Sequence, residues 1–345
     1  MRRLFLVCFL AVSLLMLAAS SASAAVVKDF AFVPRDHAVD ITFTAPGYDA
    51  VVVSYSNSLE KGTLSLVPQD GVFSGTIILP ATYPGNNVAV TIHSSKGKEL
   101  MKKTYVQTAL TEIPIVEKAA SGRLAGVTVC VDPGHQGVAI NLDEPMGPGL
   151  SGTHHTTNGQ AQGTATRRKE SVVVLEIGLK LRNALLEEGA DVVMTREDQD
   201  TAVSNVRRSE IAKEGNADLF IRLHCDNSSN KNKRGIHIYI PLSSTYAKQV
   251  ADKDTYRSYG EALFQAMSEA TGVTRGGVTQ NNSYVANNWA TMPAFLVEMG
   301  YMSNRDDDLM LSTEEYQAKV VQGMVDGLVA VARLRGLIET DPALQ

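Results

Sequence analysis

Two hydrophobic patterns divide the chain. From residue 26 to about 110, short apolar or alternating runs recur as VVKDFAFV, AVDITFT, AVVVSYS, GTLSLV, GVFSGTIIL, NNVAVTIHS and ELMKKTYVQ. Turn residues separate them, as in Ala45-Pro46-Gly47 and Tyr83-Pro84-Gly85. Short strands at roughly ten-residue spacing, with no helical period competing, predict a small all-β sandwich of immunoglobulin or fibronectin type over 25–110. A segment at 111–126, with Pro114, Ser121 and Gly122, reads as a linker. From 127 to 336 the pattern changes. VTVCV, DVVMT, LFIRLH, GIHIYI and AFLVEM are continuous apolar runs of buried-strand type, separated by helical stripes. Val174, Ile177, Leu181 and Leu185 mark one helix face, and a second helix over Tyr256–Ala270 ends at Gly272. A last helix, with Ser312 and Glu315 as its capping box, carries Tyr316, Val320, Met324, Leu328 and Val331. Such alternation predicts an α/β fold, a mostly parallel twisted sheet flanked by helices. A tail occupies 337–345.

The first 24 residues have a different character. Arg2 and Arg3 precede the apolar run Leu4–Ala19, and Ala22-Ser23-Ala24 supplies small residues at a cleavage position. The run is shorter than the roughly 20 residues that span a bilayer, so it reads as a secretory signal peptide rather than a retained anchor. The expected location is therefore secreted, in a cell wall or periplasm, with no stable membrane anchor after cleavage. Composition narrows the partners. Lys and Arg number 32 against 37 Asp and Glu, a net charge of −5, which excludes a strong electrostatic footprint for nucleic acid. Cys130 and Cys225 lie too far apart along their strands for a disulfide and are expected to be free thiols.

Candidate chemistry gathers at strand ends in the second half. VTVCVDPGHQG ends in Asp132 and His135, DLFIRLHCD in His224, and AFLVEMGYMSN contains Glu298; Glu170 opens the helix ESVVVLEIG. Carboxyl ends of parallel strands point the same way, and ligands of such sheets bind beyond them. Two histidines and one carboxylate with a position left open make a hydrolytic zinc site, and a further carboxylate can serve as its general base. The alternative for each strand-end histidine is a satisfied core residue, and no short-range HExxH pair decides between them. Pro133-Gly134 turns the chain so that His135 can leave the sheet plane.

These blocks carry a family resemblance. VCVDPGHQG, Glu170 with GLKLRNALLEEGADVVMTRE, Arg208 with ADLFIRLHCD, and MPAFLVEMGYMSN stand in the order found in the zinc-dependent N-acetylmuramoyl-L-alanine amidases of the Amidase_3 type. The C-terminal 220 or so residues resemble that family. The resemblance implies a six-stranded sheet with flanking helices and one Zn²⁺ held by His135, Glu170 and His224. It also implies Glu298 as the catalytic acid/base, and hydrolysis of the amide between N-acetylmuramic acid and L-alanine in peptidoglycan, for wall remodelling or autolysis. Departures fall beside the ligands: Gln136-Gly137 replaces a glycine pair, Arg222 a serine, and Cys225-Asp226 a small residue and asparagine.

Further residues are candidates for substrate contact. Arg222 shares a strand face with His224. It is expected either to bind a stem-peptide carboxylate or polarise the scissile carbonyl, or to form a structural ion pair with a carboxylate such as Asp132. Asn288-Trp289 could line a groove or lie in the core. Gln136–Lys169, rich in Gly, Thr and Pro, is expected to be a lid or groove wall. Within it, Glu144 could reach the metal and block it, and His154-His155 read as a solvated pair. Arg305-Asp306-Asp307-Asp308 reads as a solvated helix approach rather than a calcium site. His37 and His93 read as surface histidines. Wall binding through the N-terminal region, a zinc peptidase cutting within the stem peptide, and a non-catalytic wall-binding protein are the competing functions.

Overall fold

The computed structural model describes residues 26–35, 38–56, 61–78, 87–106, 113–156 and 159–339. The signal-peptide segment, His37 and the last six residues lie outside them. Among the described residues no helix is long and apolar enough to cross a membrane.

The first half is antiparallel throughout. Its strands are β1 (Lys28–Arg35), β2 (Ala38–Thr44), β3 (Val51–Ser56), β4 (Lys61–Leu66), β5 (Val72–Ile78), β6 (Asn87–Ser94) and β7 (Glu99–Val106). They form one sheet in the order β1-β2-β5 and another in the order β4-β3-β6-β7. Alternation sends Ile41 and Phe43 of β2, Val51 and Val53 of β3, and Val88, Val90 and Ile92 of β6 into one core. Phe43 stacks between Phe30 and Phe73 there. His93 is half-buried on β6.

The second half contains β8 (Thr128–Pro133), a hairpin of β9 (Leu142–Pro145) and β10 (Thr153–Thr156), then α1 (Glu170–Glu187), β11 (Asp191–Met194), α2 (Asn205–Glu214) and β12 (Leu219–Asp226). It continues with β13 (Ile236–Pro241), α3 (Thr245–Val250), α4 (Lys253–Thr271), β14 (Gly276–Asn281), α5 (Val285–Trp289), β15 (Ala294–Tyr301), α6 (Arg305–Leu311) and α7 (Glu314–Leu334). The six-stranded sheet has the order β11-β8-β12-β15-β13-β14. β11, β8, β12 and β15 run parallel, and β13 meets β15 antiparallel with β14 following it. The sheet is therefore mixed, with a parallel majority. β14, with the sequence GGVTQN, carries no apolar run to announce it.

The two faces of the sheet are covered unequally. Odd-numbered positions such as Val131, Ile221, Leu223, Phe295 and Val297 pack under the long helices α1, α4 and α7. Even-numbered positions Cys130, Phe220 and Ala294 pack under the short α2 and α5 with Ala212, Ala286 and Ala290. α4 and α7 approach closely because Gly323 and Gly327 offer no side chain; a Cβ on Gly327 would stand 2.4 Å from Leu263 Cδ1.

Three local expectations are adjusted. α4 starts at Lys253, where Asp252 accepts from the amides of Asp254 and Thr255, and it ends at left-handed Gly272. α7 is capped by Thr313, whose hydroxyl accepts from Tyr316 N, so its start lies one residue beyond the Ser312 capping box. Asp307 and Asp308 are not solvated. Asp308 accepts from Ala165 N, Thr166 N and Thr166 Oγ1, and Asp307 from Gly235 N and Tyr301 N, which ties α6 to two loops. Cys130 and Cys225 are buried free thiols, as expected.

Candidate metal centre and cavity

His135 follows β8 in the left-handed region, with φ of 52°, a conformation that costs energy for a residue with a Cβ. Two buried arginines hold the turn in place. Arg196 donates to Pro133 O and Gly134 O, each at 2.8 Å, and Arg208 donates to Pro133 O at 2.9 Å and His135 O at 3.0 Å. Gly134 N closes the turn onto Leu223 O at 2.9 Å.

His224 lies at the end of β12, packed against Gly134. A Cβ on Gly134 would come within 2.4 Å of His224 Cε1 and Nε2, so only glycine leaves room for the ring. Glu170 stands at the first position of α1 and is bound on both oxygens. Oε1 accepts from Cys225 N at 3.0 Å and faces His224 Nδ1 at 3.1 Å. Oε2 accepts from Ala161 N at 2.9 Å and faces His135 Nε2 at 3.1 Å. Burial alone would raise its pKa, but His135 and His224 outweigh it and hold this carboxyl well below the ordinary range. Burial lowers His224 to about 4 despite the Glu170 hydrogen bond, so the ring is neutral near pH 7.

One donor atom from each of His135, Glu170 and His224 lies within 4.8 Å of the others. His224 Nε2 is buried with no protein partner. Ligand distances of about 2.0–2.2 Å around a tetrahedral zinc imply neighbouring donors roughly 3.4 Å apart, and the carboxylate–imidazole separations here are 3.1 Å. Two imidazoles and a carboxylate at these separations fit a divalent cation of the zinc class.

Glu298 on β15 is the Cα partner of His224 on one side and of His237 on the other. It is 7% exposed, and its Oε2 has no partner. Burial, reinforced by the Glu170 carboxylate, pushes its pKa well above the usual carboxylate value. All four groups open into one cavity of about 650 Å³. Its walls include Tyr284 and Asn205, at the starts of α5 and α2, which no sequence signal singled out.

The other candidates separate. Arg222 lines the cavity and pairs through Nε with Asp132 Oδ2 at 2.7 Å. Asp132 is a fully buried hub that also accepts from Arg208 and Thr195 rather than facing the site. Asn288 and Trp289 are not in the cavity wall. Asn288 Nδ2 donates to Met146 O at 2.8 Å and Trp289 Nε1 to Pro145 O at 2.9 Å, so both anchor the segment after β9. Glu144 does not approach the metal ligands. Its carboxylate caps α2, accepting from Asn205 N at 3.1 Å and Val206 N at 2.8 Å. The 136–169 stretch forms a hairpin, and Ile140, His154 and His155 on it contribute one cavity wall. His155 pairs with Asp143 at 2.7 Å and is exposed.

Comparisons with known proteins agree with this geometry. Residues 129–330 match the family model described as N-acetylmuramoyl-L-alanine amidase. A probable cell wall amidase, LytH, of Staphylococcus epidermidis is 27% identical over 216 residues, covering 63% of this chain and 62% of the relative. The N-acetylmuramoyl-L-alanine amidase Rv3717 of Mycobacterium tuberculosis is 27% identical over 233 residues, covering 65% of this chain and 94% of the relative. Among solved structures, the apo form of the amidase Ami1 from Mycobacterium abscessus superimposes with a TM-score of 0.55 and 28% identity, over 60% of this chain and 99% of that one. The matched family segment contains His135, Glu170, His224 and Glu298, so the chain belongs to the N-acetylmuramoyl-L-alanine amidase family of Amidase_3 type.

Proposed function

We propose that this protein hydrolyses the amide joining the lactyl group of N-acetylmuramic acid to L-alanine in peptidoglycan, with zinc held by His135, Glu170 and His224. The observation that carries the reading is the convergence of these three donors with Glu298 in one cavity. The family match over 129–330 supplies the substrate class.

A zinc ion on this triad would supply Lewis acidity toward the scissile carbonyl and toward water. The protein contributes position and proton handling. Glu170 is fixed by two backbone amides, so it orients both imidazoles at once. Glu298 reaches the same cavity with its Oε2 buried and without a protein partner. It accepts a proton from the attacking water and returns it to the departing L-alanine nitrogen as the C–N bond breaks. A raised pKa suits a group that both takes and gives a proton near neutrality. The β12–β15 pairing keeps Glu298 and His224 in register.

Secretion to a wall or periplasm follows from the N-terminal segment and from the nature of the substrate. The antiparallel β region would then serve as a wall-binding or spacing element, and autolysis or remodelling as the biological setting. The reaction is tested by digesting purified muropeptides with the zinc-loaded full chain and analysing the products by mass spectrometry. Release of intact stem peptides with a free L-alanine amine is expected. Fragments cut within the stem peptide would replace the amidase reading with a peptidase one.

A further inference from the structure

Arg222 has work left over after its ion pair. It is 3% exposed, and its guanidinium carries five N–H donors. Nε is committed to Asp132 at 2.7 Å. Nη1 reaches Asn287 Oδ1 at 3.3 Å and Nη2 reaches Asn205 Oδ1 at 3.5 Å, both long. The remaining two donors have no acceptor among the described residues. Its neighbour Arg208 differs. It spends its donors on Asp132, Gln136 and the carbonyls of Val203, Pro133 and His135, and so is saturated inside the protein.

Arg222 stands between a buried ion pair and the cavity. Asp132 is fully buried and is the one carboxylate paired with both guanidinium groups among the described residues. Arg222 thus shares its buried partner with Arg208 and lines the cavity wall, two residues along β12 from His224 and on the same face, where its charge also acts on Glu298. Residues two apart in a strand are separated by roughly 6.6 Å. A group bound at Arg222 would thus sit about one residue of substrate away from the reacting amide. The Asn205 and Asn287 side-chain oxygens flank the guanidinium.

We infer that Arg222, flanked by Asn205 and Asn287, forms a subsite for a free carboxylate on the peptide side of the scissile amide. The enzyme then discriminates that acid from its carboxamide. The inference rests on the amidase reading above. A planar fork facing an open position recognises a carboxylate by paired, charge-assisted hydrogen bonds. A carboxamide presents one acceptor and a donor that opposes the guanidinium, so the amidated substrate loses one such bond and gains a repulsion. Arg222 also remains Asp132's partner, so one side chain links the folded core to substrate choice.

The test compares two muramoyl-L-alanyl-peptides that differ only in acid against carboxamide on the residue after L-alanine. The holoenzyme and its Arg222→Gln and Arg222→Lys variants are assayed on both. Wild type is expected to prefer the acid in kcat/KM by about tenfold to a hundredfold, the worth of a charge-assisted hydrogen bond. The ratio should fall toward one in Arg222→Gln and be partly restored in Arg222→Lys. Calorimetry with the product peptides L-alanyl-acid and L-alanyl-carboxamide should give the same order of affinities. Thermal melting of each variant identifies any folding defect. Equal kcat/KM for the two peptides in wild type overturns the subsite alone. A loss in Arg222→Gln that is equal for both peptides also overturns it, assigning Arg222 to structure. Failure of the zinc-loaded wild type to cleave either peptide overturns the reaction and the subsite together.

Discussion

Gly134→Ala perturbs the proposed metal centre without substituting any ligand. The backbone of Gly134 needs no left-handed φ, so alanine is tolerated by the chain itself. The new methyl, however, would meet His224 Cε1 and Nε2 at 2.4 Å and Leu223 O at 2.7 Å. Ordinary contact begins near 3.4 Å, so the imidazole must retreat by about 1 Å. Leu223 O cannot retreat, because it belongs to a central strand and accepts from Gly134 N. Overpacking of this kind costs about 1–3 kcal/mol of stability. A displaced ligand should weaken zinc by about 10- to 100-fold, as when a ligand's supporting contact is lost. Misplacement by about 1 Å should also lower turnover by roughly a hundredfold. Competition against a chromophoric chelator measures the affinity, and urea unfolding measures the stability. Gly327→Ala is the control: its methyl would strike Leu263 at the α4–α7 crossing, lowering stability without touching zinc. Wild-type zinc affinity and turnover in Gly134→Ala would refute the role given to His224.

Other outcomes are equally specific. Glu298→Gln should fold and retain zinc while losing about 10²- to 10⁴-fold in turnover, the usual contribution of a positioned acid/base; wild-type turnover would remove Glu298 from the chemistry. Asp132→Asn should cost about 3–5 kcal/mol in chemical unfolding, because Arg208 and Arg222 lose the carboxylate they share. Burial alone would raise the Asp132 pKa, but the two guanidinium groups outweigh it and hold it below its unfolded value. Its stabilisation is therefore complete above the unfolded pKa of about 3.9 and is lost as pH falls below that. Wild type should lose stability more steeply than Asp132→Asn on acidification, and parallel curves would contradict the assignment. Dialysis against a strong chelator should abolish hydrolysis and stoichiometric zinc should restore it, read on muropeptides; activity that survives chelation would remove the metal from the mechanism.

Much of the site was legible because its residues stand at ends of apolar runs. VTVCV, LFIRLH and AFLVEM are parallel neighbours in the sheet, so His135, His224 and Glu298 had to arrive at one edge. The helix start at Glu170 was visible from the stripe that follows it. The supporting residues were not legible, since their partners are main-chain carbonyls and amides. Arg196 and Arg208 are held by turns that no side-chain pattern encodes. For Arg222 the sequence left two readings open, substrate contact or an ion pair with a carboxylate such as Asp132, and the register that sets the two residues opposite each other shows the pair to be present. The aspartates at 306–308 misled in the opposite sense. A charged run reads as solvated, yet Asp308 accepts backbone amides of Ala165 and Thr166, and Asp307 those of Gly235 and of Tyr301 at the end of β15. Asn288 and Trp289 showed the limit of residue type as a guide: groove and core were both open for them, and the structure has Asn288 buried and both side chains anchoring the segment at Pro145 and Met146.

Metal content of the purified full chain reaches the central assignment most directly. Elemental analysis should find one equivalent of zinc in wild type and close to none in Glu170→Ala and His224→Ala, with the far-UV circular dichroism of all three unchanged. Equimolar zinc persisting in both folded variants would contradict the His135–Glu170–His224 centre.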